Sequence, residues 1–238
     1  MNFTYGLFSS GIEWISCGVA LLVCLYAILR APWHTVLENS HIQHRLLGSI
    51  LVLVCLWQLN VTLNGGVSLH FLGMSTITLL FGWHLALLAG LVVLLLDAIW
   101  NSQLGLVLGV NALFNVVIPV VVTWWIHLRI ERLKLSNPFI FILGTGFFGC
   151  VLSTTFMALS VLAAVIVLSD IDLVLGIGDY LGYLPIFVFP EAVVNGMFIS
   201  TITVLHPHVM TTFDEARYFK QTETEMILDE YIESPLVQ

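Results

Sequence analysis

Among the polar or ionisable side chains within the long apolar runs of this 238-residue chain, seven are the most informative: His70, His84, Asp97, Asn111, Asn115, Glu191 and Asn195. Polar groups within a membrane are costly and therefore mark candidate functional sites. His70, in GGVSLHFLG, has the side chain that most often binds a transition-metal ion. The alternative for a lone histidine is an interfacial or hydrogen-bonded side chain. Metal binding at His70 is therefore a hypothesis.

Glu191, in FPEAVVNG, has no lysine or arginine at its depth in the predicted helix. We expect its carboxyl group either to bond to asparagine side chains or to be protonated. Asn111 and Asn115 are one helical turn apart, so they share a helix face. Asparagine side chains on one face of a membrane helix often form hydrogen bonds to a neighbouring helix, and a functional role for these two stays open.

Enzyme signatures are absent from the sequence. It contains no HExxH, no GxSxG and no nucleotide-binding P-loop. We therefore expect the chain not to be an enzyme, and any ATP-driven transport would need a partner protein. Nucleic-acid binding has no support either, because no basic patch is present.

Composition indicates an integral membrane protein. Hydrophobic residues make up 59% of the chain, charged residues only 9%, and the mean hydropathy is +1.01. Soluble domains carry about 25% charged residues, so a soluble domain is excluded. A membrane-spanning helix needs about 20 apolar residues. The runs are too long, and alternate too little, for the strands of a β-barrel.

The apolar runs predict an all-α bundle of about seven membrane segments, at 11–30, 46–63, 70–82, 83–100, 105–127, 138–168 and 182–205. The break at Gly82 is required because residues 70–100 would form one helix about 46 Å long, too long for a single crossing. The 70–82 segment is too short to cross alone, so we expect neighbouring helices to shelter it.

Charge predicts the orientation. With the N-terminus outside and seven segments, every lysine and arginine falls on the cytoplasmic side: Arg30, Arg45, Arg129, Arg132, Lys134, Arg217 and Lys220. The C-terminus is then cytoplasmic. Seven of the 15 acidic residues lie in the last 25 positions. This predicts a membrane domain at 1–210 and a solvated acidic tail at 211–238.

The start of the chain does not read as a cleaved signal, because no lysine or arginine precedes the first apolar run. Asn2 is a bulky second residue, so we expect Met1 to be retained.

Four stretches together carry a family resemblance. In order, they are MNFTYGLFSSG, GVSLHFLGMSTITLLFGWHLALLAG, LLLDAIWNSQLGLVLGVNALFN and YLPIFVFPEAVVNG. They resemble motifs of the substrate-binding membrane subunit of energy-coupling-factor cobalt and nickel importers, the CbiM/NikM family. The resemblance runs from Met1 to about residue 210. It places His70, Asn111 and Glu191 on the family's motif histidine, asparagine and glutamate.

The resemblance implies a metal site at the chain start. In that family the metal is held by the N-terminal amine, the amide nitrogen and imidazole of residue 2, and the motif histidine. Transferred to this chain, the ligands are Met1, Asn2 and His70. Asn111, Glu191 and His84 are then candidates for supporting or transport roles. The implied substrate is a divalent transition-metal ion, cobalt or nickel, since nitrogen ligands suit these metals.

Position 2 departs from the family, because Asn2 stands where the family has histidine, and Tyr5 replaces an aspartate. An amide side chain is a much poorer nickel ligand than imidazole. Three interpretations stay open: another ligand such as His84 or Met74 completes the site, selectivity has moved to another metal, or the scaffold binds a different solute.

The resemblance also implies partners and location. These are a coupling transmembrane subunit, cytoplasmic ATPase subunits and the lipid of the inner (plasma) membrane. The alternative function is a scaffold or accessory protein that has lost transport and binds a cytoplasmic partner through its acidic tail.

Overall fold

The computed structural model describes residues 2–3, 8–62, 67–168 and 177–220. Within these ranges, six helices are long and apolar enough to cross a membrane. The predicted multi-pass helical bundle is confirmed. The helices are α1 (Ser10–Arg30), α2 (Trp33–Glu38), α3 (Ser40–Gln58), α4 (Met74–Trp100), α5 (Val107–Ala112), α6 (Ile118–Arg132), α7 (Gly149–Leu168) and α8 (Ile177–Leu205). A π-helical turn, Leu113–Val117, joins α5 to α6, and another, Ile140–Phe148, leads into α7.

A small antiparallel sheet interrupts the helices. Its strands are β1 (Asn2–Phe3), β2 (Asn60–Thr62) and β3 (Val67–His70), in the order β1-β3-β2. The predicted segment 46–63 is therefore wrong at its end, since α3 stops at Gln58. The segment predicted from residue 70 begins as a helix only at Met74. Asn64-Gly65, a pair typical of hairpin turns, was the sequence signal for strands here.

Helix α4 folds back on itself at Gly82, whose backbone is not helical (φ 77°, ψ 166°). A Cβ atom at Gly90 would lie 2.6 Å from the methyl group of Met74. In a straight helix, residues 16 apart are separated by about 24 Å. Residues 74–81, the short arm, therefore run back along residues 83–100, the long arm. The predicted break at Gly82 is confirmed, and the two arms account for the seventh predicted segment.

The bundle has two distinct ends. At the sheet end, the Gln58 side chain donates to Asp97 at 3.0 Å, so the long arm returns to the level of the strands. At the opposite end, Tyr26 stacks on Trp83, just after the fold, at 5.6 Å between ring centroids. We call this the tail end, because the residues after α8 pack there. Which end faces the cytoplasm stays a prediction.

Residues 206–220 pack against the tail end. The backbone N–H of Thr211 donates to the Leu80 carbonyl at 3.0 Å, and the Thr212 hydroxyl donates to the Leu79 carbonyl. These carbonyls lie in the last turn of the short arm, where the carbonyl groups of a helix have no N–H donor within the helix. Tyr218 is buried and stacks on Phe213 at 4.7 Å. The described start of the predicted tail is thus packed rather than solvated. Residues 221–238 lie outside the described part, and the domain boundary at 210 stays a prediction.

Candidate metal centre

Strand pairing brings the start of the chain beside the segment that carries His70. Asn2 pairs with Ser68 and Phe3 with Val67, in antiparallel register. Following β1 toward its first residue therefore leads along β3 toward His70. The His70 side chain is 1% exposed. Met1 and the side chain of Asn2 lie outside the described part of the chain.

Asn111 fixes β1 against α5. Its side-chain oxygen accepts the Phe3 backbone N–H at 2.8 Å, and its side-chain nitrogen donates to the Phe3 carbonyl at 3.3 Å. The Phe3 ring is fully buried and meets Phe8 and Phe114 edge-on. Because both polar atoms of the Asn111 side chain bind backbone, its role in this arrangement is to hold the N-terminal strand in place.

His70 is held between a carbonyl group and an aromatic ring. Its Nδ1 lies 3.3 Å from the Phe71 carbonyl, and its ring centroid lies 4.6 Å from that of Trp57. The contact with the carbonyl favours the tautomer with its proton on Nδ1, which leaves the lone pair on Nε2. Burial lowers the pKa of the His70 imidazole well below its ordinary value. A neutral imidazole at pH 7 is the form that binds a metal ion.

Trp57 is a site residue that the sequence analysis missed. Its indole N–H donates to the Leu72 carbonyl at 3.0 Å, which ties α3 to the loop after His70. A tryptophan near the end of an apolar run is typical of the membrane interface, so its type and position gave no sign of this role.

Glu191 holds the same loop from α8. Its Oε1 accepts the backbone N–H groups of Leu72 at 3.2 Å and Gly73 at 3.1 Å. Of the two alternatives for this carboxyl group, the asparagine partners are replaced by two backbone donors of the loop, and protonation stays a prediction. Oε2 is buried and has no hydrogen-bond partner among the described residues. Gly73 has φ 64°, and a Cβ atom there would lie 2.5 Å from the Leu53 side chain.

The remaining polar residues join helices to one another. Asn195 donates to the Gly146 carbonyl and accepts from the Thr76 hydroxyl. Asp97 accepts from the side chains of Gln58 and Asn101. Asn115 is fully buried one turn after Asn111. Asn195 and Asp97 thus form hydrogen bonds between helices, whereas Asn111, for which the sequence favoured such bonds, binds the strand β1 instead.

The two alternative ligands are not brought to His70. His84 lies two residues after Gly82, at the tail end of the bundle, against the Trp83 ring. The Met74 side chain is buried against Gly90 and Val116. Among the described residues, no group of three or more His, Cys, Asp or Glu side chains could hold a metal ion.

The chain is similar to known proteins in sequence and in fold. A family model described as CbiM, cobalt uptake substrate-specific transmembrane region, matches residues 3–209. Two solved structures are similar in fold at 18% sequence identity. One is titled a truncated transition metal transporter and has a TM-score of 0.66. The match includes 85% of this chain and 98% of the transporter chain. The other, titled a transition metal transporter, has a TM-score of 0.64 and covers 98% of both chains. No curated protein matches in sequence.

Proposed function

The chain belongs to the CbiM family of cobalt-uptake substrate-specific transmembrane regions, and from this premise we propose that it captures a divalent transition-metal ion for import. The ion binds at the sheet end, between the start of the chain and His70. Cobalt and nickel are the favoured substrates, and the protein acts as a transport subunit rather than as an enzyme.

One observation carries the proposal: a backbone strand at the start of the chain is buried beside β3 and clamped by Asn111. Chain termini are usually poorly ordered unless they are tied down. Here the sheet register directs β1 toward His70, which is neutral and buried. In our proposal the Met1 amine and the Asn2 amide nitrogen complete a chelate with the His70 imidazole.

The proposed ligands are nitrogen atoms, which suit cobalt, nickel and copper ions better than calcium or magnesium. The amine and the neighbouring amide nitrogen form a five-membered chelate ring with the metal, and the amide must lose its proton to bind. Asn2 supplies no imidazole, so the position that histidine would fill is left to water or to a weaker ligand. We therefore expect weaker binding than a histidine at position 2 would give.

Import would need partners, because the sequence contains no ATP-binding motif. In our proposal a coupling transmembrane subunit and cytoplasmic ATPase subunits of the energy-coupling-factor type supply the energy. The complex would lie in the inner (plasma) membrane, with the sheet end facing outward. The gathering of all seven lysine and arginine residues on one predicted side supports this orientation.

Metal analysis of the purified full-length chain tests the site. We expect one bound Ni²⁺ or Co²⁺ per chain, measured by elemental analysis and titration calorimetry. His70→Ala should weaken binding at least about tenfold, because losing a group that only supports a metal ligand already costs about 10–100-fold in affinity, and His70 is a proposed ligand itself. Asn2→His should tighten it. His84→Ala is the matched control and should leave affinity unchanged.

Two results would contradict the proposal. One is a purified chain that binds no divalent transition metal. The other is a His70→Ala variant that binds the metal as tightly as the unmodified protein, while the His84→Ala variant binds it less tightly.

A second candidate function is a membrane accessory protein that no longer transports metal, and Asn2 is the residue that favours it. Metal uptake by cells expressing the chain with its partner subunits separates the two. Uptake that depends on His70 supports transport. A chain that supports no uptake, yet loses a cytoplasmic partner when residues 221–238 are deleted, is an accessory protein.

A further inference from the structure

A groove lined mainly by apolar side chains runs along one side of the bundle, and its sheet end reaches the loop that follows His70. Its volume is about 400 Å³, and it is bounded by α3, the short arm and α8. Apolar side chains that line it are well exposed, among them Val52, Val194 and Phe198. In a membrane-spanning chain these side chains face lipid, so the groove opens sideways into the bilayer.

The walls of the groove are two straight stripes. On α3 the stripe is Arg45, Ser49, Val52 and Leu56, and on α8 it is Glu191, Val194, Phe198 and Ile202. These spacings of three and four residues keep each stripe on one helix face. Both stripes span 11 residues, which is about 16 Å of helix. The groove therefore has the same length on both walls and runs from the sheet end to the tail end.

The size and lining of the groove suit a lipid chain. A length of about 16 Å and a volume of about 400 Å³ accommodate one extended hydrocarbon chain. The walls that such a chain would contact are mostly apolar.

The tail end of the groove carries the positive charge. Arg45 donates its Nε–H to the His41 carbonyl at 3.1 Å and one Nη to the Val209 carbonyl at 2.9 Å. These bonds hold the guanidinium at the mouth of the groove and leave its other Nη without a described partner. At the sheet end, Glu191 lines the groove. An anionic headgroup is therefore favoured at the Arg45 end.

We propose that the groove binds one acyl chain of an anionic phospholipid, with the phosphate on Arg45. The apolar walls alone give no preference for this chain over bulk lipid, because lipid tails are equally apolar. The preference comes from the charge of Arg45 and from filling a space that would otherwise lose packing contacts. A bound chain would support the short arm, and through it the loop that follows His70.

Photolabelling of the full-length chain in phosphatidylglycerol-containing vesicles tests this proposal. The probe is a phosphatidylglycerol with a diazirine in one acyl chain, and labelled peptides are mapped by mass spectrometry. Labelling on α3 and α8 should exceed labelling on the exposed face of α1 by about fivefold, the preference expected from one arginine at a lipid surface. A diacylglycerol probe with the same chains and no phosphate should show no such excess.

Two variants and a control sharpen the test. Arg45→Gln should remove the excess labelling. Gly48→Leu should also remove it by filling the groove, because a Cβ atom at Gly48 meets nothing within 4 Å and the helix tolerates it. Gly18→Leu, a matched control on α1 with the same open space, should change nothing in the groove. Labelling spread evenly over the apolar surface, or unchanged in Gly48→Leu, would overturn the proposal.

Discussion

At the residue scale, the polar side chains of the proposed metal centre bind backbone. Asn111 binds the N–H and carbonyl of Phe3, and Glu191 binds the N–H groups of Leu72 and Gly73. Each thus holds a short irregular segment that has few helical hydrogen bonds of its own. Backbone groups buried without a partner are costly, so these side chains set the position of both segments.

Replacing Asn111 should release the N-terminal strand. In Asn111→Ala, the Phe3 N–H and carbonyl lose their partner, and leaving buried polar groups unpaired costs about 1–3 kcal/mol. We expect the Phe3 amide to exchange its hydrogen faster, and affinity for Ni²⁺ or Co²⁺ to fall although His70 is intact. Hydrogen exchange and calorimetry measure the two effects.

The matched control is Asn137→Ala, since Asn137 is an exposed asparagine that also accepts a backbone N–H, that of Phe139. It should change neither quantity. If Asn111→Ala keeps full metal affinity while Phe3 exchanges faster, the start of the chain does not take part in binding.

At the element scale, the fold of α4 depends on one glycine. The Gly82 backbone lies in a region that essentially only glycine adopts. A Cβ atom there would meet only the Thr211 hydroxyl, at an ordinary 3.9 Å. The requirement for glycine is therefore conformational and does not come from crowding.

Gly82→Ala should destabilise the bundle by about 1–3 kcal/mol, the cost of holding a residue with a side chain in such a conformation. We expect a lower Tm in detergent micelles. Gly18→Ala should leave the Tm unchanged or raise it, because alanine favours a helix where space is open. An equal Tm for Gly82→Ala and the unmodified chain would show that the fold at residue 82 does not need this backbone conformation.

At the scale of the whole molecule, the residues after α8 close the tail end. They bond to the carbonyls that end the short arm, and Arg217 pairs with Glu131 at 2.7 Å. Tyr218 is 1% exposed and donates its hydroxyl to Glu131 at 3.3 Å. Burial, followed by the negative charge of Glu131, raises the pKa of Tyr218 to about 12, so this donor keeps its proton at physiological pH.

Two truncations separate the packed residues from those that follow. Ending the chain after Met210 removes two hydrogen bonds to the short arm, each worth about 1 kcal/mol, and two buried aromatic side chains, Phe213 and Tyr218, each worth about 1.5–3 kcal/mol. We expect a clear fall in Tm. Ending it after Lys220 keeps these contacts and should leave the Tm close to that of the full chain. Equal values for both truncations would mean that the packed residues add no stability.

The sequence alone determined the class of protein, the bundle and the break at Gly82, because apolar runs and their lengths must match a bilayer. Motif order also picked out His70, Asn111 and Glu191. The tertiary structure decided what these residues bind. The stretch after α3 carries the hairpin signal Asn64-Gly65, but nothing in it indicates that β1, distant in sequence, pairs with β3. Likewise, the partners of Asn111 and Glu191 lie 108 and 118 or 119 positions away. Contacts over such separations arise from packing and leave no local pattern to read.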